Sequence, residues 1–220
     1  MTYNQVVISS GHGKYVRGAS GYIDEVDEAR KVVEGVADVL RSQGVTVMTF
    51  HDDTSRTQSE NLNRIVSFHN AQQRQLDISV HFNAYQTTPA PRGTECLYVT
   101  QQDLSARMAS AMAEAATFIN RGPKKRTDLY FLNNTAMPAI LLEVCFVDSQ
   151  TDALLYQENF KAICEAISET LTGIPVQPPT EPPVKPPVEV WRPPIVVSIA
   201  IETPDGVEVS ISVNGELRGA

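Results

Sequence analysis

Short apolar runs alternate along the chain with segments of helical periodicity, and no other feature restricts the fold as strongly. The run Leu76–Asn83 is short and carries the β-branched residues Ile78 and Val80, which is typical of a strand. Elsewhere apolar residues recur at helical spacing, for example between Val33 and Leu40. This alternation predicts an α/β fold with three layers, in which helices cover both faces of a mostly parallel, twisted sheet of about six strands.

The pattern also gives approximate limits for each element. The predicted strands are Val6–Ser9, Val45–Phe50, Leu76–Asn83, Gly93–Thr100, Leu129–Leu132 and Ala139–Phe146. The first predicted helix runs from Asp24 to Gly44, the third over Leu104–Phe118 and the fourth from about Asn159 to Leu171. The second begins at a capping box, Ser55–Gln58, and its buried stripe consists of Leu62, Ile65, Val66 and His69. On this assignment His69 is a packed core histidine.

Proline pairs end this order after Gly173. They stand at positions 178–179, 182–183, 186–187 and 193–194. We therefore expect one domain over residues 1–174, an extended linker over 175–194 and a β-hairpin segment over 195–220. Because a lone hairpin is marginally stable in water, we expect it to belong to a truncated larger module or to mediate oligomerisation.

Composition narrows the range of partners. A formal net charge of -8 argues against nucleic acid, whose protein partners carry basic surfaces. No apolar run reaches the length of a membrane helix, which argues against membrane insertion. The segment Met1–Gln5 has neither a basic region nor an apolar signal, so we expect synthesis in the cytoplasm without a signal peptide. Cys96, Cys145 and Cys164 are odd in number and scattered, which predicts buried free thiols.

Two histidines stand at the carboxyl ends of predicted strands. His12 follows the first strand and His81 lies near the end of the third, and ligands bind outside the carboxyl ends of strands in open α/β sheets. Catalytic zinc commonly has three ligands of the His and Glu type. The third ligand would be Glu25 or Glu28, which share one face at the start of the first helix. The alternative is that these acids only complement the helix dipole.

Glu143 interrupts the apolar strand Ala139–Phe146. Burial of an unpaired carboxylate is costly and raises its pKa, which favours a general base over a structural acid paired with arginine or with backbone amides. Cys145 lies two residues later and is expected on the same face, as a packing residue. Asn83 could contact substrate, although an asparagine after a strand often ties a turn together.

Four separated motifs resemble the zinc-dependent N-acetylmuramoyl-L-alanine amidases, and above all the amidase domains of phage endolysins. They are VVISSGHG at 6–13, a glutamate at 25, ISVHFNA at 78–84 and PAILLEVCFV at 138–147, and the likeness covers about residues 4–173. The resemblance implies Zn²⁺ ligands His12, Glu25 and His81, with Glu143 as the catalytic residue. Glu25 is preferred to Glu28 because counting back from Gly44 places the family's glutamate there.

The resemblance also implies the reaction. The substrate is bacterial peptidoglycan, and the bond cleaved joins N-acetylmuramic acid to the L-alanine of the stem peptide, through zinc-activated water and a glutamate base. Phage-induced host lysis would be the purpose, with action on the cell wall after release from the cytoplasm. The alternatives are another zinc peptidase that acts on wall peptides and a non-catalytic wall-binding protein. The hairpin segment could then be part of a wall-binding module.

Overall fold

The computed structural model describes residues 2–176, 198–201 and 209–212. The chain divides into two compact units, Met1–Val176 and Gln177–Ala220. The first unit contains strands β1 Gln5–Ser10, β2 Thr46–Phe50, β3 Leu76–Asn83, β4 Thr94–Tyr98, β5 Asn120–Lys125 and β6 Ala139–Phe146. Its helices are α1 Glu25–Ser42, α2 Gln58–Ala71, α3 Gln102–Ala116, α4 Tyr130–Asn134 and α5 Gln150–Thr172.

One six-stranded sheet, in the order β2-β1-β3-β6-β4-β5, forms the centre of the first unit. Strands β2, β1, β3 and β6 are parallel, whereas β4 runs antiparallel to β6 and β5 runs parallel to β4. The predicted α/β class and mostly parallel sheet are confirmed. Because β4 is reversed, its amino end meets the carboxyl ends of β3 and β6 at one edge of the sheet.

Helices cover both faces of this sheet, as predicted. The larger core joins α1, α3 and α5 to one face through side chains such as Val36, Met108 and Ile167. The smaller core joins α2 and α4 to the other face, where Ile65 and Phe131 pack together. The carboxyl-terminal halves of β3 and β6 extend beyond this smaller core and carry polar side chains there.

Strand β3 shows how the sequence divides the two faces. Its residues alternate between apolar side chains in the larger core, from Leu76 to Phe82, and polar side chains on the opposite face. Near the amino end of β3, Asp77 is fully buried on the polar face and accepts hydrogen bonds from Arg74 and His69. Towards the carboxyl end, the same polar face carries His81. One strand therefore supplies both a structural polar cluster and a candidate site.

Three predicted element assignments are wrong, and one strand was not predicted. Residues 129–132 form the start of helix α4 instead of a strand, since a short apolar run does not distinguish the two. Helix α5 begins at Gln150 with Ser149 as N-cap, and the predicted start at Asn159 is a kink inside it. The capping box lies at Thr57 and Glu60, two residues beyond the predicted one. Strand β5, an edge strand that contains Pro123, was not predicted because it lacks apolar alternation.

In the second unit, strands β7 Ser198–Ile201 and β8 Val209–Ser212 pair antiparallel. From position 177 onwards, the predicted linker lies outside the described residues. The predicted hairpin turn between the two strands lies outside them as well. The roles suggested for this segment, wall binding or oligomerisation, therefore stay predictions.

Candidate metal centre and catalytic site

A close approach between two loops sets the first half of the site. Gly11 donates its backbone N–H to the Val80 carbonyl (2.9 Å), which draws the loop after β1 onto the end of β3. A Cβ atom at position 11 would overlap the ring of His81. Glycine is therefore required before His12, and the two histidine rings meet edge to face with centroids 5.0 Å apart.

Glu25 completes the group from the first residue of α1. Its side chain is almost fully buried, and its Oε1 accepts hydrogen bonds from His81 Nδ1 (3.0 Å) and from the Phe82 backbone N–H (3.1 Å). Its Oε2 accepts from the Ala19 backbone N–H (2.7 Å). A Cβ at Gly18 would overlap the Glu25 carboxylate, so the glycine-rich loop before α1 is shaped around this side chain.

The three side chains fit a zinc ion. One potential ligand atom from each of His12, Glu25 and His81 lies within 4.8 Å of the others. Glu25 Oε1 lies 3.6 Å from His12 Nε2 and 3.0 Å from His81 Nδ1. Tetrahedral zinc with bonds of 2.0–2.2 Å would hold its ligands roughly 3.3–3.6 Å apart. The first distance lies in this range, and the second would lengthen slightly on metal binding. Glu28, the other predicted candidate, instead accepts hydrogen bonds from Tyr156 and Lys31.

Mutual electrostatics favour cation binding here. Burial, reinforced by the charge of His81, lowers the pKa of His12. Burial alone would raise the pKa of Glu25, but the hydrogen bond from His81 and the charges of both histidines outweigh it, so that pKa is lowered. Burial likewise opposes protonation of His81, yet Glu25 raises its pKa. His81 Nδ1 and Glu25 Oε1 thus share a hydrogen bond that a bound metal cation would replace.

Glu143 lies beside this group on β6. It is the register partner of His81 on β3 and of Glu95 on β4, so the three side chains lie next to one another on one face of the sheet. Burial, aided by the charges of Glu25 and Glu95, raises the pKa of Glu143 to about 7. Its Oε2 is buried without a hydrogen-bond partner among the described residues. The carboxyl group is therefore free to exchange a proton near neutral pH.

Comparison with known proteins now identifies the family. A family model described as N-acetylmuramoyl-L-alanine amidase matches residues 6–173. The chain belongs to this family. The resemblance inferred from the four sequence motifs is thereby confirmed.

Two curated relatives of this amidase-family chain are longer than it is. An uncharacterised 38.4 kDa protein of Clostridium perfringens is 30% identical over 182 residues, which cover 76% of this chain and 53% of that protein. The endolysin of Bacillus phage SPP1 is 31% identical over 164 residues, which cover 70% of this chain and 59% of the endolysin. This chain thus spans little more than half the length of these relatives.

A solved structure shares the fold. The catalytic domain of CD27L endolysin, described as targeting Clostridia difficile, has a TM-score of 0.71 at 24% identity. The match covers 79% of this chain and 99% of that domain. Among the described residues, no helix has both the length and the apolar character needed to cross a membrane.

Sequence reasoning missed Glu95, which lies next to Glu143 in this amidase-family sheet. The Glu95 side chain is largely buried and accepts hydrogen bonds from Asn83 Nδ2 (3.0 Å) and Arg121 Nε (2.8 Å). Asn83 Oδ1 also accepts a hydrogen bond from the Ala84 backbone N–H (2.8 Å). This contact agrees with the interpretation that Asn83 ties the turn after the strand together. The signal for Glu95 was available, because it is an acid within a buried strand, as Glu143 is.

The other histidines lie away from this group. His69 is fully buried and placed between Asp77 (2.8 Å) and Ser9 (2.9 Å), which confirms it as a core residue. His51 contacts Ser10 (2.9 Å) and Glu34 (3.1 Å). The structure therefore brings His12 and His81, and neither of these two, to the candidate metal centre.

The three cysteines are buried and free, as predicted. The expectation that Cys145 shares a face with Glu143 is wrong. The register between β3 and β6 shifts beyond His81, and Cys145 enters the larger core instead. Burial raises the pKa of the Cys145 thiol, as expected of a packing residue.

Proposed function

We propose that this chain hydrolyses the amide bond between the lactyl group of N-acetylmuramic acid and the L-alanine of the stem peptide in peptidoglycan. Zn²⁺ would be held by His12, Glu25 and His81. The observation that carries the proposal is the convergence of these three side chains beside Glu143, whose Oε2 is buried and unpartnered. Membership of the amidase family supports the same reaction.

Bound zinc supplies a Lewis acid for the scissile carbonyl group and the attacking water. Glu143 accepts a proton from that water as the water oxygen bonds to the carbonyl carbon. The Glu143 carboxyl group then gives the proton to the L-alanine nitrogen as the C–N bond breaks. The products are a free lactyl carboxyl group and a new amino terminus on the stem peptide.

The surroundings of Glu143 suit both proton transfers. In the metal-free protein, burial raises the pKa of Glu143 to about 7, which suits a group that accepts and releases a proton near neutral pH. Glu25 serves a different purpose, because two backbone N–H groups and His81 hold its carboxylate in the ionised form that a cation requires. The hydrogen bonds to Glu25, and the lack of a partner for Glu143 Oε2 among the described residues, thus distinguish a ligand from a base.

The biological role we infer is host lysis by a phage, with the enzyme made in the cytoplasm and acting on the wall after release. Similarity to the endolysin of Bacillus phage SPP1 supports this role. Residues 175–194 would serve as a linker. Residues 195–220 would contribute wall binding or oligomerisation.

Metal removal combined with product analysis tests the proposal. Chelated protein should lose wall lysis, and Zn²⁺ should restore it. His12→Ala and His81→Ala should lose zinc, whereas His69→Ala is the matched control that should retain it. Purified walls should yield new L-alanine amino termini without new reducing sugars.

Other outcomes would select the alternatives. New amino termini within the stem peptide, with the lactyl amide intact, would indicate a zinc peptidase. Wall binding with no cleavage by the zinc-loaded protein would indicate a non-catalytic binding protein. Full activity of the chelated protein would refute the metal centre.

A further inference from the structure

The loop that carries His12 lies between β1 and α1 and belongs to neither a helix nor a strand. It must nevertheless place the His12 ring close to Glu25 and His81. One side of the loop is fixed to the sheet, because the backbone N–H of Gly11 donates to the Val80 carbonyl oxygen at the end of β3 (2.9 Å). The contacts on its other side therefore decide where the His12 ring lies.

Asn61 of helix α2 holds that other side. Its Nδ2 donates to the Gly11 carbonyl oxygen (3.1 Å). The residue before His12 is thus tied to β3 through its N–H and to α2 through its carbonyl group. Beyond His12, the backbone N–H of Lys14 donates to the Asp52 carbonyl oxygen (2.8 Å). The metal ligand lies between these two attachments.

Asn61 occupies a position where the helical pattern favours an apolar side chain. It shares the buried face of α2 with Ile65 and His69, at a spacing of four residues, and is only 1% exposed. Burial of an amide costs free energy unless the amide is hydrogen-bonded, and Asn61 Oδ1 has no partner among the described residues. The hydrogen bond from Nδ2 to the loop therefore accounts for a polar side chain at this position.

The glycines beside His12 match this arrangement. A Cβ atom at Gly13 would lie 2.6 Å from Asn61 Oδ1, and Gly11, on the other side of His12, likewise has no room for a side chain. The loop can approach α2 this closely only because both neighbours of the histidine are glycines. The backbone N–H of Asn61 donates to the carbonyl oxygen of the N-cap residue Thr57 (3.0 Å), so the amide projects from the first turn of a capped helix.

We propose that Asn61 is a positioning residue for the metal ligand His12. The inference rests on the proposed function, in which His12 binds Zn²⁺. Asn61 acts through the Gly11 carbonyl group and holds the loop so that the His12 ring faces Glu25 and His81 before a metal binds. A ligand that is already in place loses less conformational freedom on binding, which raises the affinity for the metal.

Zinc affinity and coordination geometry test this role without a measurement of cleavage. Asn61→Leu keeps roughly the size of the side chain, suits the buried face of α2 and removes the donor to the Gly11 carbonyl. Competition between the full-length protein and a metallochromic indicator should show zinc affinity lowered roughly tenfold or more, the range for groups that orient a metal ligand. The visible spectrum of the cobalt(II)-loaded variant should also differ from that of the wild type, because the ligand geometry changes.

Ile65→Val is the matched control. It removes one methylene group from the same buried face of α2, one helical turn further along. The melting temperature should fall, whereas zinc affinity and the cobalt spectrum should not change. If Asn61→Leu does not fold, Asn61→Ala gives the same comparison.

Unchanged affinity and an unchanged spectrum in a folded Asn61 variant would overturn the role. So would an equal loss of affinity in Ile65→Val, because the effect would then be one of general stability. Wild-type protein that binds no zinc would refute the metal centre and this inference with it. Zinc binding that depends on Asn61, without cleavage of purified walls, would refute the proposed function and leave the positioning role standing.

Discussion

Replacing Glu143 with glutamine separates catalysis from stability at one position. The substitution keeps the shape of the side chain and removes its capacity to accept a proton at neutral pH. General acid–base catalysis is worth roughly 10²–10⁴ in rate, so amide hydrolysis should fall by at least that factor. Zinc content should be unchanged, because the proposed ligands are His12, Glu25 and His81, and Glu143 lies beside them.

The same substitution should stabilise the metal-free protein. Burial raises the pKa of Glu143 from 4.5 to about 7, so the unfolded chain ionises this group before the folded chain does. Stability is therefore lost as pH rises from about 4.5, and the full loss is present above about 7. At about 1.4 kcal/mol per pH unit, the penalty is on the order of 3 kcal/mol. Glutamine avoids this ionisation.

Two measurements check this reasoning. Chemical denaturation of the metal-free proteins should show Glu143→Gln more stable than the wild type at pH 8, with the difference shrinking towards pH 4.5. Turnover and zinc content are measured on the zinc-loaded proteins, with Glu25→Gln as the variant expected to lose zinc and Glu28→Gln as the control. Wild-type turnover in Glu143→Gln would refute the role as base. Loss of zinc in that variant would make Glu143 a ligand.

Three further predictions concern the frame around the site. Gly11→Ala should lower zinc affinity because the added methyl group overlaps the His81 ring, and equilibrium dialysis would show unchanged affinity if the contact were unimportant. Truncation after Val176, whose backbone N–H donates to Glu169, should preserve the fold and zinc binding. A lower melting temperature of the truncated protein would show that the removed residues stabilise the first unit. Burial lowers the pKa of His69, so the free energy of unfolding should decline below about pH 6.5, by at most about 1.4 kcal/mol per pH unit. Thermal melts between pH 7.5 and 5.5 should show a smaller decline for His69→Gln than for the wild type.

Much of the fold follows from periodicity alone. The alternation of strands and helices gives the class, and β3 shows its two faces directly in its alternating residues. Periodicity does not give strand direction, so the reversal of β4 was not predicted. Periodicity also does not predict β5. This edge strand, which contains Gly122 and Pro123, has no buried face, so its apolar residues do not alternate.

The candidate metal centre was predictable in part because strand ends concentrate polar residues that are otherwise excluded from the core. His12 and His81 stand at strand ends and Glu25 at the start of α1, and the structure brings the three together. The cavity lined by Arg92 and Arg121 was not predictable. Arg92 and Arg121 come from a loop and an edge strand whose mutual position depends on the reversed β4 and on long-range hydrogen bonds to Asp152.

Glu25 and Glu143 differ in how far the rest of the fold depends on them, and this gives the two residues unequal diagnostic value. Glu25 anchors the Phe82 and Ala19 amides as well as offering a ligand atom, so a descendant that had abandoned hydrolysis would still need it for its architecture. Glu143 Oε2 anchors nothing among the described residues, and its ionisation weakens the fold. We therefore expect an acid to be retained at position 143 only in proteins that use it for hydrolysis. A relative that retains the triad but carries a neutral residue at 143 would be a metal-binding scaffold without hydrolysis.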